Sequence, residues 1–204
     1  MNQKWKGFYA IVDPEHCVLP PLETAAAILR AGPTAMQLRW KNGSDRQRYE
    51  LGLELRKRCN EAGVPFVMND RFDLALLTGA DGLHLGQDDL PIEEARRFFK
   101  GPIGVSTHNM AQAKAAGDAD LIGFGPVFDT SSKANPDATV GLRGLESICA
   151  NVEVPVVAIG GITVERAKDA FRAGAAMVAA ISSVCAAKDP FAAAQQFVAA
   201  GAEQ

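Results

Sequence analysis

The sequence predicts an α/β fold, a single (β/α)8 TIM barrel, on three observations. Short apolar or β-branched runs alternate with longer segments of helical period, the order expected of parallel strands joined by crossover helices. Eight such pairs fit into 204 residues, at the lower size limit of the eight-stranded barrel. Polar and charged residues gather just after the apolar runs, where such a barrel carries its reactive groups. An open doubly wound sheet shares the alternation and is the structural alternative.

The elements follow in order. Phe8 to Val12 is an apolar strand, and Pro21 to Ala31 behind it a helix that Gly32 ends. Ala35 to Trp40 is the second strand. In the helix Ser44 to Ala62, Ser44 and Gln47 have the spacing of a capping box and Gly63 stands where a left-handed C-cap is wanted. Phe66 to Asn69 leads to Phe72 to Thr78, closed by Gly79, and Gly82 to Leu85 leads to Pro91 to Phe99, with proline where a first helical turn tolerates it. Ile103 to Ser106 precedes Asn109 to Ala116, and Leu121 to Gly125 precedes Leu142 to Asn151. Val156 to Ile159 is followed by Thr163 to Ala173 and Gly174, and Met177 to Ile181 by Pro190 to Ala200. The longest loop, Asp129 to Val140, is rich in Ser, Thr, Asn and Pro, and a loop of that length in a compact barrel is usually either functional or a mobile lid.

Composition narrows the function. With 48% hydrophobic residues the chain can bury one sizeable core, so residues 1–204 are expected to form one domain. The net charge is -3, from 21 basic and 24 acidic side chains without a long run of either sign, which speaks against nucleic acid as a partner. No apolar stretch is long enough to cross a bilayer and no secretory signal is visible, so no membrane partner is expected. Cys17, Cys59, Cys149 and Cys185 are scattered without a C-x-x-C pair, as suits structural thiols in a reducing cytoplasm. Homo-oligomeric assembly is left open.

The strand ends are rich in chemistry: Gln37-Leu38-Arg39-Trp40-Lys41, Asn69-Asp70-Arg71, His84-Leu85-Gly86-Gln87-Asp88-Asp89, Ser106-Thr107-His108, Thr130-Ser131-Ser132-Lys133 and Gly160-Gly161. Asp70 and Asp89 close consecutive strand units, so their carboxylates can meet across the rim and hold Mg2+ together with phosphate oxygens. Alternatively each caps the helix that follows it. Gln37, Arg39 and Lys41 alternate onto one strand face, leaving Leu38 and Trp40 to face the helices, and cations in a barrel mouth call for an anion or for a salt bridge with Asp70 or a neighbouring helix. Gly160-Gly161 and Ile181-Ser182-Ser183 stand where such barrels bind phosphate through backbone amides. His84, inside an apolar run, reads first as a core histidine bonded to a carbonyl, whereas His108 stands at the rim. H-E-x-x-H, G-x-S-x-G, Walker and dinucleotide motifs are absent.

From Tyr9 to Pro190 the ordered motifs resemble the thiamine phosphate synthase family: Gln37-Leu38-Arg39 with Lys41, Asn69-Asp70-Arg71, Gly82 to Asp89, Gly104 to His108, Gly123 to Phe128 and Val157 to Ile162. The resemblance implies Mg2+-dependent transfer of an aminopyrimidinylmethyl group from its diphosphate to a thiazole phosphate, with diphosphate leaving first. It implies that Gln37, Arg39, Lys41 and Asn69 hold the pyrimidine diphosphate, that Asp70 and Asp89 bind Mg2+, and that Ser106 and Lys133 contact the same diphosphate. Thr130 and Ser132 would meet the thiazole carboxylate, and Gly161, Ile181 and Ser182 the thiazole phosphate. Lys133, Arg39 and Ser106 would be the catalytic set. Two positions depart from the family pattern: Trp40 where glutamate is usual, and Asp129-Thr130-Ser131-Ser132-Lys133 where the family has Pro-Thr-x-Thr-Lys. The chain is also similar to thiazole tautomerases, which need no metal and for which His108 would be the acid or base. A barrel that binds a phosphate ligand without catalysis is the third reading. The Asp70 and Asp89 pair favours the transferase.

Overall fold

The computed structural model describes residues 5–130 and 138–202. Strands β1 (Gly7–Val12), β2 (Ala35–Leu38), β3 (Phe66–Asn69), β4 (Gly82–Leu85), β5 (Ile103–Thr107), β6 (Leu121–Phe124), β7 (Val156–Ala158) and β8 (Met177–Ala180) pair in parallel with their sequence neighbours. Tyr9 of β1 registers with both Ala35 and Ala179, which closes the sheet into a barrel and excludes the open doubly wound alternative. Around it run α1 (Pro21–Arg30), α2 (Asp45–Ala62), α3 (Phe72–Thr78), α4 (Ile92–Phe98), α5 (Met110–Ala115), α6 (Gly141–Asn151) and α7 (Val164–Arg172). The short α8 (Ser182–Cys185) and the longer α9 (Pro190–Ala202) complete the ring.

Strand alternation divides the core in two. Phe8, Ala10, Val12, Met36, Leu38, Phe66 and Met68 point outward into the layer shared with the helices. Tyr9, Ile11, Ala35, Val67, Leu121, Val157, Met177 and Ala179 point inward, joined by Trp5. Burying both faces explains why the strands read as nearly continuous apolar runs. At full burial each large aliphatic or aromatic side chain contributes about 1.5–3 kcal/mol.

The local signals act as the sequence suggests at most ends. Ser44 Oγ accepts from the Gln47 amide at 3.3 Å while Gln47 Oε1 accepts from the Ser44 amide at 2.9 Å, and Gly63 ends α2 with φ of 68°. Asn109 and Thr163 cap α5 and α7 with their side-chain oxygens, which accept from the Gln112 and Arg166 amides without a reciprocal bond. Several strand and helix ends shift by a residue or two, and three details differ in kind. Pro91 is the N-cap of α4 rather than its first residue. The four-residue α8 has no counterpart in the expected pattern, because its span is too short to show a helical period. Strand β2 stops at Leu38, not Trp40. The carbonyls of Trp40 and Lys41 accept from the Arg48 guanidinium at 2.7 and 2.6 Å, so α2, not a strand neighbour, satisfies them.

Candidate active site

The inward alternation that builds the core also builds a hollow at the C-terminal mouth of the barrel. Gln37 follows Ala35 on the inner face of β2, Asn69 follows Val67 on β3, and His84 and Ser106 take the corresponding places on β4 and β5. Together with Tyr9, Arg39, His108, Thr130, Gly160, Gly161, Ile181 and Ser182 they line one continuous hollow. Of the expected substrate-binding residues, Ser132 and Lys133 lie outside the described residues.

The floor of the hollow is polar and internally bonded. Gln37 is 2% exposed and its Nε2 donates to the Tyr9 hydroxyl at 2.7 Å. Burial pushes the Tyr9 hydroxyl well above the usual phenol range, so it stays protonated. His84 Nε2 lies 2.9 Å from Ser106 Oγ, and the Ser106 carbonyl accepts from Gln87 Nε2 at 2.6 Å. His84 is buried as expected, but its bonded partner is this hydroxyl and its ring faces the hollow. Tyr9, which no motif marks as functional, and His84, expected as a core histidine, both line the site. Their signal was strand parity, since both share the inward phase of apolar neighbours.

The cationic side of the mouth is paired within the protein. The Arg39 guanidinium bonds the fully buried Asp13 carboxylate at the end of β1, a partner not foreseen among Asp70 and the neighbouring helices. Lys41 does not stay on the inward face with Gln37 and Arg39. Because β2 ends early, its ammonium turns to the Asp70 carboxylate, outside the main hollow. Trp40, past the end of β2, is half-buried against the barrel and helix layer but also lines the hollow that holds Asp70 and Asp89, and its ring lies over Gly43, where a Cβ would come within 2.5 Å of it.

Asp70, Asp89, Lys41, Asn69 and Trp40 line a second, adjoining hollow, with Asn69 common to both. Asp70 does not cap α3, whose N-cap is Arg71, and Asp89 does not cap α4. Asp70 instead adopts a left-handed backbone, φ 60°, with its amide donating to the His84 carbonyl at 2.8 Å. That conformation costs an L-residue about 1–2 kcal/mol, although aspartate tolerates it better than most. Asp89 Oδ2 accepts from the Gly86 amide at 2.6 Å. Burial raises the proton affinity of Asp89, and the facing Asp70 carboxylate raises it further, against the Gly86 amide and Lys41. Two oxygen-only side chains crowded into mutual repulsion match the donor set of Mg2+, which takes one or two carboxylates along with phosphate oxygens.

The opposite side of the hollow is backbone. Gly160 and Gly161 have φ of 96° and 62°, and a Cβ on Gly161 would lie 2.3 Å from the Asp129 carbonyl. Arg166, stacked over Phe128, donates to the Gly161 carbonyl at 2.8 Å and so fixes the orientation of that peptide. Ser183 Oγ donates to the Ile162 carbonyl at 2.7 Å, tying the turn after β8 to the turn after β7. The Asp129 carboxylate accepts from the Thr139 hydroxyl at 2.7 Å. His108 Nδ1 donates to the Gly125 carbonyl at 2.5 Å, which leaves Nε2 the acceptor in the neutral ring.

Residues 8–184 match the family model described as thiamine monophosphate synthase. The chain belongs to the thiamine monophosphate synthase family. It is 47% identical over 173 residues to a thiamine-phosphate synthase of Chloroflexus aurantiacus, covering 83% of this chain and 80% of that one. It is 44% identical over 177 residues to one of Archaeoglobus fulgidus, covering 86% and 84%. Among solved structures, the thiamine phosphate pyrophosphorylase of Pyrococcus furiosus superposes with a TM-score of 0.90 at 35% identity, over 99% of this chain and 98% of that one. Membership in this family agrees with a hollow that has carboxylates and cations at one side and the Gly160-Gly161 turn at the other.

Proposed function

We propose that this chain is a thiamine phosphate synthase: it transfers the 4-amino-2-methylpyrimidinylmethyl group from its diphosphate to a thiazole phosphate or its carboxylate, releasing diphosphate. The observation that carries this reading is the two-sided hollow, with the Asp70 and Asp89 pair beside Lys41 at one side and the Gly160-Gly161 and Ser182 backbone at the other. One site for a leaving diphosphate and one for a phosphate ester are what a condensation of two phosphorylated substrates requires.

In this reading Asp70 and Asp89 hold Mg2+, which when bound neutralises charge on the departing diphosphate. Arg39, Lys41, Asn69, Ser106 and Lys133 bind that diphosphate. Gln37, held by Tyr9, orients the pyrimidine at the hollow's floor. Thr130 and Ser132 meet the thiazole carboxylate, and the amides around Gly161, Ile181 and Ser182 bind the thiazole phosphate. Diphosphate departs first, the electron-rich aminopyrimidine bears the resulting cation, and the thiazole nitrogen attacks it. The protein's part is placement and charge stabilisation, so a strong general base is not needed. The reading takes residues 1–204 as one catalytic unit acting on small molecules in the cytoplasm, in keeping with four unbridged cysteines.

Incubation with the pyrimidine diphosphate, thiazole phosphate and Mg2+ tests it, with thiamine phosphate and diphosphate expected in equal amounts. Isomerisation of thiazole carboxylate phosphate without metal, and no condensation, would point to a tautomerase. Binding of thiazole phosphate without any turnover would leave a non-catalytic barrel.

A further inference from the structure

Three inward-facing positions at the same side of the barrel carry glycine: Gly82 on β4, Gly104 on β5 and Gly123 on β6. An eight-stranded barrel has an interior just wide enough for side chains to fill, so adjacent inward glycines leave space that something else must occupy. Here the occupant of the space over two of them is the His84 ring. A Cβ on Gly104 would lie 2.6 Å from His84 Nδ1, and one on Gly123 would lie 3.3 Å from Cε1 and 3.5 Å from Nε2. Strands β5 and β6 thus give up their side chains where the imidazole lies. From that place Nε2 reaches Ser106 Oγ at 2.9 Å, on the neighbouring strand and at the wall of the hollow. The Ser106 carbonyl is separately held by Gln87 at 2.6 Å, so the serine is fixed through both its backbone and its hydroxyl.

We propose that His84 is a positioning residue for the transfer reaction: its Nε2–H donates to Ser106 Oγ, so that the hydroxyl proton of Ser106 is directed to the leaving diphosphate. The inference rests on the reading of Ser106 as a diphosphate contact. A hydroxyl has one proton and can accept as well as donate. With one of its lone pairs engaged by Nε2–H, the hydroxyl cannot donate to His84, so its own proton is left for the substrate anion, and a donor already oriented pays no reorganisation when charge develops on the leaving group. No bond is made or broken by His84 itself.

The test compares His84→Phe, His84→Gln, Ser106→Ala and the double variant His84→Phe with Ser106→Ala, each checked for an unchanged melting temperature. A fifth variant, Gly123→Ala, keeps every polar group and only displaces the ring, which covers the case in which His84→Phe fails to fold. Loss of a single oxyanion donor lowers kcat by about 100- to 1,000-fold, so Ser106→Ala is expected in that range or somewhat below, and His84→Phe at about tenfold to a hundredfold. The double variant should be no slower than Ser106→Ala, since the two act as one unit. His84→Gln, whose amide can donate in place of Nε2, should recover part of the rate, and KM for thiazole phosphate should stay within about threefold throughout. Gly123→Ala should lower kcat with the same unchanged KM. Full kcat in folded His84→Phe beside a slow Ser106→Ala, or multiplicative losses in the double variant, would overturn the positioning role alone. Full kcat in Ser106→Ala would overturn the reading of Ser106, and the proposal with it.

Discussion

Asp89→Asn is expected to stabilise the fold while it removes turnover. Burial is the largest influence on the Asp89 carboxyl and the neighbouring Asp70 adds to it, so the folded chain holds this proton more tightly than the unfolded chain does. A carboxyl group raised in this way contributes stability below its unfolded pKa and loses it as pH rises through the folded value, so near pH 7 its charge opposes folding. Asparagine keeps an oxygen to accept from the Gly86 amide, at 2.6 Å in the native chain, and removes the charge. Lys41 continues to pair with Asp70. A partly exposed charge contact is worth at most about 1 kcal/mol, and for a chain of this size each kcal/mol moves the melting temperature by about 2–4 °C. A rise of about 1–4 °C is therefore expected in thermal denaturation followed by circular dichroism in the presence of EDTA. Millimolar Mg2+ should raise the melting temperature of the native chain and leave that of Asp89→Asn nearly unmoved, because only a species that binds the folded state stabilises it. A lower melting temperature for the variant in EDTA would refute the electrostatic argument. An equal Mg2+ response in both proteins would refute the assignment of the carboxylates to the cation.

Gly161→Ala places a Cβ 2.3 Å from the Asp129 carbonyl in a left-handed backbone, so KM for thiazole phosphate should rise by about tenfold or more with little change in KM for the pyrimidine diphosphate. An unchanged KM for thiazole phosphate in steady-state kinetics would remove Gly161 from the phosphate site. Trp40→Glu should lower the melting temperature, because a half-buried indole leaves the barrel and helix layer, but kcat/KM should stay within about tenfold of the native value. A larger kinetic loss with an intact fold would show that Trp40 reaches the substrate. Burial pushes the Cys149 thiol up to about 11, so its alkylation by iodoacetamide, followed by mass spectrometry, should be slow at pH 8 and rise about tenfold per pH unit towards pH 10.

The backbone plan was legible in the sequence because it is written in local terms. Strand and helix periods, the Ser44 and Gln47 capping box and the glycine after α2 each depend on residues within a few positions of one another, and each lies where the pattern placed it. The rim was legible for a related reason: in a parallel barrel every strand ends at the same mouth, so residues distant in sequence, such as Asp70 and Asp89, converge without any contact having to be inferred. What the sequence left open depended on who stands beside whom. Arg39 finds Asp13 rather than Asp70, and Lys41 leaves the inward set, because the Arg48 guanidinium takes the carbonyls that would have extended β2. His84 could not be told from an ordinary core histidine within its own apolar run. Its orientation is set by Gly104 and Gly123, two glycines on later strands whose missing side chains make room for the ring beside Ser106, and only the pairing of β4, β5 and β6 brings those four residues into one place.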